Sequence, residues 1–411
     1  MSADLQPGPV SPDEFEAFAV AVARGFHDEL TQEVIDRVRP VHEDDRALAI
    51  RDDGRIVATA TIATFEVTAP GGPVPMAGVT AVTVQPTHRR RGLLTSLMRA
   101  HLDRLRDGGE AVAGLWASEA RIYGRFGFGP ASREGNLVVR SDHAALRPEL
   151  RADEHRVELL EPPAALEDLR AVYDAVRPRR PGMLSRSDGR WGHVIADPES
   201  ERGGAKPRRA AVVRDERGAA RAYALYAVRM GHDRGEPAGE AIIREVVADG
   251  PAATAAIWEF LLGLDLVRTI SWDAGPADCE LAHLVDNPRA VRSDPGDGLW
   301  IRLVDVDRAL ARRTYAADVD LVLEVTDRFC PQNTGRHRLS AAAGGGATCT
   351  PTTDPADLRL DVEALGAVYL GGPSVRALAD AGRVQEATRG AVDAATAAFR
   401  GDREPWCPEI F

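Results

Sequence analysis

Residues 78–130 read GVTAVTVQPTHRRRGLLTSLMRAHLDRLRDGGEAVAGLWASEARIYGRFGFGP. The β-branched run Val79–Val84 predicts a strand, and Pro86 ends it because proline cannot donate a ladder hydrogen bond. Leucines at helical spacing then continue from Leu93 to Leu105, and the glycine pair 108–109 ends that helix. The pattern therefore predicts a strand joined to a helix by a tight turn.

The same stretch continues with a second strand over residues 111–116 and a short helix that opens at Ser118-Glu119. The turn before the first helix, His88–Gly92, carries three arginines and a glycine. Helix N-termini attract phosphates because their first N–H groups lack partners, and arginine pairs well with phosphate oxygens. Taken alone, however, such a basic cluster is more typical of a solvated helix cap.

The combination of these elements is more specific than the turn. It resembles the acetyl-CoA site of GNAT acetyltransferases, whose signature is Arg/Gln-x-x-Gly-x-Gly/Ala; here it reads Arg89-x-x-Gly92-x-Leu94, without the last small residue. THRRRGLL followed by ASEARIYGRFGFGPAS resembles the Eis (enhanced intracellular survival) family more narrowly, and so does the C-terminal Phe411. The resemblance covers nearly the whole chain.

This resemblance implies a mixed α/β (α+β) architecture of three domains. We expect an N-terminal GNAT acetyltransferase domain over residues 1–145, a central GNAT-like domain over 146–295 and a sterol-carrier-like C-terminal domain over 296–411. The sequence between Val247 and Ala253 follows a similar strand but has no arginine cluster, so we expect no cofactor site in the central domain.

Composition limits the classes of partner. The 411 residues include 51 Lys+Arg and 63 Asp+Glu, a net charge of −12, which disfavours nucleic acid and anionic membranes and is compatible with a cationic substrate. The four cysteines show no metal-binding spacing, so we expect free thiols and no metal. Residues 1–12 do not read as a signal peptide and no apolar run has the length of a membrane span, so we expect a cytoplasmic protein.

By resemblance, the co-substrate is acetyl-CoA, and its pyrophosphate binds at the basic turn while strand N–H groups polarise the thioester. The residues expected to bind it are Val82, Thr83, Val84, Arg89, Arg90, Arg91, Gly92, Leu93, Leu94, Thr95, Ser118 and Glu119.

Two residues resemble the family's catalytic groups. Tyr123 matches the proton-donating tyrosine, and a tyrosine is protonated at neutral pH because its pKa is about 10; without the resemblance it reads as a core tyrosine. The apolar, proline-stiffened end Pro405–Phe411 indicates a buried terminus, and the resemblance implies that the α-carboxylate of Phe411 is the general base. Related chains carry an acidic residue before the final Phe, where this chain has Ile410.

Asp28 and Glu29 follow the first helix and are expected to meet a cationic acceptor, although a solvated helix end explains them as well. His88 and His101 are weak candidates for the base and read as structural. We therefore expect an N-acetyltransferase that acts by direct attack on small polycationic amines such as aminoglycosides, assembled as a homohexamer by resemblance. Two alternatives stay open: a protein lysine acetyltransferase, and a non-catalytic lipid-carrier or scaffold protein.

Overall fold

The computed structural model describes residues 5–151 and 155–411. Its main helices fall into three successive groups along the chain. They are Phe15–Phe26, Gln32–Val38, Leu93–Asp107 and Ala120–Tyr123; Leu166–Val176, Asp188–Ile195, Pro251–Leu262 and Leu281–Leu284; and Val306–Leu310, Val362–Val368, Val375–Asp380 and Ala391–Phe399.

Two seven-stranded sheets and one five-stranded sheet carry these helices. In spatial order, the first sheet contains Gly8–Pro9, Leu48–Asp52, Arg55–Ala69, Gly72–Val84, Val112–Trp116, Leu299–Leu303 and Gly129–Pro130. The second contains Val291–Asp297, Arg133–Arg140, Val267–Pro276, Gly239–Ala248, Ala220–Arg229, Arg209–Arg214 and Arg156–Leu160. The third contains Ala347–Pro351, Gly335–Ala341, Val319–Thr326, Leu358–Asp361 and Val384–Glu386, and His232–Asp233 pairs separately with Glu236–Pro237.

The sequence Ser11-Pro12-Asp13-Glu14 predicts the start of the first helix, because a serine followed three residues later by a glutamate can form a capping box. The backbone N–H of Ser11 donates to the Glu14 carboxylate at 3.0 Å, which completes the expected capping box. The helix Phe15–Phe26 then buries Phe15 and Phe18 against the first sheet. Near its end, a Cβ on Gly25 would lie 2.5 Å from Cβ of Thr83, so the backbone of the helix contacts the Thr83 side chain there.

The two large sheets exchange strands, which the predicted domain boundaries do not anticipate. Arg133–Arg140, assigned to residues 1–145, pairs with Val267–Pro276 and Val291–Asp297 in the second sheet. Leu299–Leu303, assigned to the C-terminal domain, pairs with Val112–Trp116 and Gly129–Pro130 in the first sheet. All five residues of Leu299–Leu303 are buried, so this strand needs cover on both faces, and the first sheet provides it.

The C-terminal domain packs tightly against the first sheet. A Cβ built on Gly366, in the helix Val362–Val368, would collide with the carbonyl oxygen of Ile301, so the helix and the exchanged strand touch through their backbones. Beside this contact, the buried Arg302 forms an ion pair with Asp327. The first sheet and the C-terminal domain consequently share one apolar core. Among the described residues, no helix combines the length and the apolar character needed to cross a membrane.

Candidate active site

The strands Gly72–Val84 and Val112–Trp116 diverge in the middle of the first sheet. Their parallel pairing covers only Met76–Gly78 against Val112–Gly114. Beyond Gly78 the two strands share no ladder hydrogen bonds, although the first continues for six more residues. The result is a wedge, here called the first wedge, whose walls offer unpaired backbone N–H and C=O groups to a ligand.

A β-bulge lies in the wall of the first wedge. Thr59 stands opposite Thr83 and Thr61 opposite Thr80, so Gly72–Val84 carries one extra residue there. Ala81 adopts a left-handed backbone with φ 51°, an unusual conformation for a residue with a side chain. Thr59 Oγ1 donates to the Ala81 carbonyl at 2.8 Å and so holds the bulge. Bulges recur next to active sites because they re-aim the backbone, and this one lies beside the predicted segment Val82–Val84.

The helix Leu93–Asp107 begins at the open end of the first wedge. Gly92 caps it with φ 82°, and Arg89, Arg90 and Arg91 are all exposed. Leu93 is buried under the helix, whereas Thr95 is exposed on its first turn. The structure thus brings the predicted arginines and the free N–H groups of the helix start to one surface, which suits a pyrophosphate.

Tyr123 ends the short helix Ala120–Tyr123, just beyond the strand Val112–Trp116. Its side chain is buried, with 4% exposure, and packs edge-on against Phe128 with ring centroids 6.4 Å apart. Burial raises the pKa of the Tyr123 hydroxyl, and the Ser118 side chain acts in the opposite direction. Tyr123 is therefore protonated at neutral pH, as a proton donor must be. Ser118 and Glu119, directly before this short helix, are exposed.

The C-terminal residues reach the narrow end of the first wedge. The Phe411 ring packs on Phe65 with centroids 4.8 Å apart, and its Cε2 lies 2.9 Å from where a Cβ on Gly78 would stand. Gly78 is the last paired residue before the strands separate. Trp116 Nε1 donates to the carbonyl oxygen of Glu409 at 2.8 Å. The chain end thus lies at the apex of the first wedge, where Phe411 itself keeps partial exposure and Ile410 is 49% exposed.

Sequence reasoning missed the residues that hold this end. The Glu409 carboxylate accepts a hydrogen bond from Arg186 Nε at 2.7 Å, and Arg186 also donates from Nη1 to Glu245 at 3.0 Å. The side chains of all three residues are 1% exposed. A signal was available: Arg244 and Glu245 interrupt the apolar run from Ala241 to Val247, and a charge inside a buried strand requires a partner.

The other candidates lie apart from this apex. Asp28 and Glu29 are exposed just beyond the helix end that contacts Thr83. His88 bonds Asp52 at 2.9 Å, and His101 is buried in the core with Nε2 3.3 Å from the carbonyl oxygen of Ala60. Burial lowers the pKa of His101 to about 4, so it is neutral and structural. In the described ranges, no group of three His, Cys, Asp or Glu side chains is placed to hold a metal ion.

Comparison with known proteins agrees with this geometry. A family profile described as an acetyltransferase (GNAT) domain matches residues 7–131, a second GNAT profile matches 182–303, and a sterol carrier protein profile matches 306–408. An uncharacterised N-acetyltransferase of Streptomyces avermitilis is 42% identical over 90% of this chain and 90% of its own length.

Two mycobacterial proteins are also similar over nearly their whole length. N-acetyltransferase Eis of Mycobacterium tuberculosis is 34% identical over 95% of both chains. The crystal structure of Eis1 from Mycobacterium abscessus superposes with a TM-score of 0.84, at 32% identity, over 99% of this chain and 100% of that one.

This protein is an acetyl-CoA-dependent N-acetyltransferase of the GNAT class, because it combines the wedge and the basic helix start with the matching family profiles. The expected architecture, with two GNAT domains followed by a sterol-carrier-like domain, is confirmed. The relatives narrow the class further, because their similarity extends through all three domains. The chain belongs to the Eis family of N-acetyltransferases.

A charge reversal tests the role of the basic turn. We expect Arg90→Glu with Arg91→Glu to weaken acetyl-CoA binding by about tenfold, or about 1.4 kcal/mol, because two cations next to the pyrophosphate become anions. Isothermal titration calorimetry measures the affinity. Arg217→Glu with Arg234→Glu makes the same change in net charge at exposed positions of the second domain and should leave binding intact. Equal affinities for both double variants would contradict the assignment.

Proposed function

We propose that this enzyme acetylates amino groups of small polycationic molecules, such as aminoglycosides. The observation that supports the proposed chemistry is the position of the chain end Phe411 at the apex of the first wedge, beside the strand that leads into the helix ending at Tyr123. Family membership supports the transfer reaction, and the charge of the protein supports the choice of acceptor. The exposed Asp28 and Glu29 beside the wall of the first wedge and the net charge of −12 both favour a cation.

In the proposed reaction, acetyl-CoA lies in the first wedge with its pyrophosphate at Arg89–Thr95. A backbone N–H of Val82–Val84 polarises the thioester carbonyl. The acceptor ammonium loses a proton to the α-carboxylate of Phe411, directly or through water, and the amine nitrogen attacks the carbonyl carbon. The tetrahedral intermediate collapses, the C–S bond breaks, and Tyr123 gives its proton to the leaving thiolate. The nitrogen of the new amide releases its second proton to the Tyr123 phenolate, directly or through water, and the Phe411 carboxyl returns its proton to solvent. No acyl-enzyme is formed.

Removal of one hydroxyl tests the proposed acid. Tyr123→Phe should keep fold and acetyl-CoA affinity while kcat falls by a factor on the order of 10²–10⁴, the usual contribution of general acid catalysis. Tyr226→Phe is the matched control, since Tyr226 is also 4% exposed but lies in the second domain. If the Tyr123→Phe enzyme turns over normally while chemistry limits the rate, Tyr123 is a packing residue.

A change at the chain end tests the proposed base. Phe411→Leu keeps the α-carboxylate and should retain most activity, whereas amidation or a Gly-Ser extension removes or displaces the charge. Either of the latter should reduce kcat strongly and leave acetyl-CoA binding unchanged. A matched enzyme with an N-terminal tag should remain active. Equal kcat for the two tagged forms, with the tags verified by mass spectrometry, would show that Phe411 only docks.

Neutral isosteres test the acceptor. Asp28→Asn with Glu29→Gln should raise KM for an aminoglycoside by roughly threefold to tenfold at low salt, because exposed ion pairs contribute about 0.2–1 kcal/mol each. KM for a simple monoamine should change less. Asp13→Asn with Glu16→Gln, at exposed positions near the start of the first long helix, is the control. Faster turnover of a lysine peptide than of any small amine would favour the protein-acetylating alternative.

A further inference from the structure

The second sheet repeats the wedge of the first. Gly239–Ala248 pairs in parallel with Val267–Pro276 only from Gly239 to Ile243, and the two strands then separate. Arg244 forms a bulge there, because Glu245 stands opposite Leu225 and Ile243 opposite Tyr226. This second wedge therefore has the same construction as the first, with Glu245 directly beyond its bulge.

The second wedge is filled by the protein itself. Trp406 packs at a right angle on Trp272 with centroids 5.8 Å apart, and Trp258 lies 6.1 Å beyond Trp272. The tail residue Trp406 also donates from Nε1 to the Ala274 carbonyl at 2.9 Å and from its backbone N–H to the Pro181 carbonyl at 2.8 Å. The chain thus enters the second wedge before it reaches the first.

Between the two wedges the tail, residues 404–411, is held by charge. Arg186 bridges Glu245 of the second sheet and Glu409 of the tail, and these three residues are called the tail anchor below. The Arg186 guanidinium lies over the ring of Tyr173 at 4.0 Å, and Tyr223 donates its hydroxyl hydrogen bond to Glu245. Adjacent tail residues pack into different apolar cores. Trp406 packs into the core of the second sheet, and Cys407 packs into the core that the first sheet shares with the C-terminal domain.

We propose that the tail anchor is a positioning device for catalysis in the first wedge. In this assignment Glu245 and Arg186, both outside the acetyltransferase domain, hold Glu409 so that the α-carboxylate two residues later faces the reacting amine. The inference rests on the proposed role of Phe411 as the base. It gives the second GNAT-like fold a function of its own: its wedge receives the tail instead of a cofactor.

Within the tail anchor, Glu245 and Arg186 hold each other in their charged forms. Burial raises the pKa of the Glu245 carboxyl, but the adjacent Arg186 outweighs this effect, so the pKa lies below its ordinary value. The pKa of Arg186 lies above its ordinary value, because the charges of Glu245 and Glu409 outweigh the burial that lowers it. Arg190, 8% exposed and with its guanidinium 5.0 Å from the Phe65 ring, adds a second cation nearby.

A double-mutant cycle tests the proposal. Glu409→Gln keeps the shape of the side chain but removes the charge held by Arg186. We expect kcat to fall roughly ten- to a hundredfold, the penalty of a misplaced catalytic group, with KM for acetyl-CoA unchanged. The matched control is Glu404→Gln, in the same tail but paired at 3.5 Å with Arg133, and it should have little effect. Both variants are also made in an enzyme extended by Gly-Ser after Phe411, with rates from single-turnover measurements.

If the tail anchor acts through the terminal carboxylate, Glu409→Gln causes no further loss in the extended enzyme. Equal losses in both backgrounds, or full kcat for the Glu409→Gln enzyme, would overturn the inference and leave the proposed base intact. Full activity of the extended enzyme would instead overturn the base itself. If the Glu409→Gln enzyme does not fold, Tyr223→Phe serves as a second variant, because it removes the hydrogen bond that Tyr223 donates to Glu245. It should lower kcat severalfold, again only in the enzyme without the extension.

Discussion

The guanidinium of Arg186 lies between two carboxylates in a region closed to solvent. Neither carboxylate could stay there alone, because an unpaired buried charge costs several kcal/mol. Removal of one member of such a pair typically costs about 3–5 kcal/mol, although a well-packed apolar substitute can serve stability equally well. The ion pairs therefore matter less for the free energy of folding than for the path of the C-terminal chain. It ties the strand Gly239–Ala248 to residue 409 and so determines where the chain runs next.

The two wedges have the same construction, but different groups lie in them. In the first, the bulge at Ala81 and the separated strands leave backbone groups facing a gap, beside a helix start with three exposed arginines. In the second, Trp406 of the tail packs on Trp272, next to Trp258, and residues 248–250 before the helix Pro251–Leu262 include no arginine. In our proposals, the same divergence of strands serves a diffusible ligand in one sheet and an attached peptide in the other.

The sequence predicts local structure well where a periodic apolar pattern is bounded by residues that begin or end an element, such as capping residues and glycines. The helix Leu93–Asp107 ends at its glycine pair as expected, and the capping box of Ser11 and Glu14 forms. Residues 78–130 also form the predicted strand, turn, helix, strand and short helix, because the motifs that predict them are contiguous. Strand pairing is different. In the structure, the residues of Arg133–Arg140 alternate in burial, but such a period of two specifies the faces of a strand and not the strands it pairs with. Likewise, nothing local to Glu409 or Arg186 announces their contact, because 223 residues separate them in the chain.

Strand exchange also has a consequence for biosynthesis. A ribosome delivers the chain from its N-terminus, and domains usually fold as they emerge. Here the first sheet cannot be completed when its own domain has emerged, because the strand between Val112–Trp116 and Gly129–Pro130 is residues 299–303. Until then, the nascent acetyltransferase domain exposes two strand edges for the time needed to synthesise the whole second domain. For the chain to fold correctly during synthesis, those strand edges must not pair with another chain.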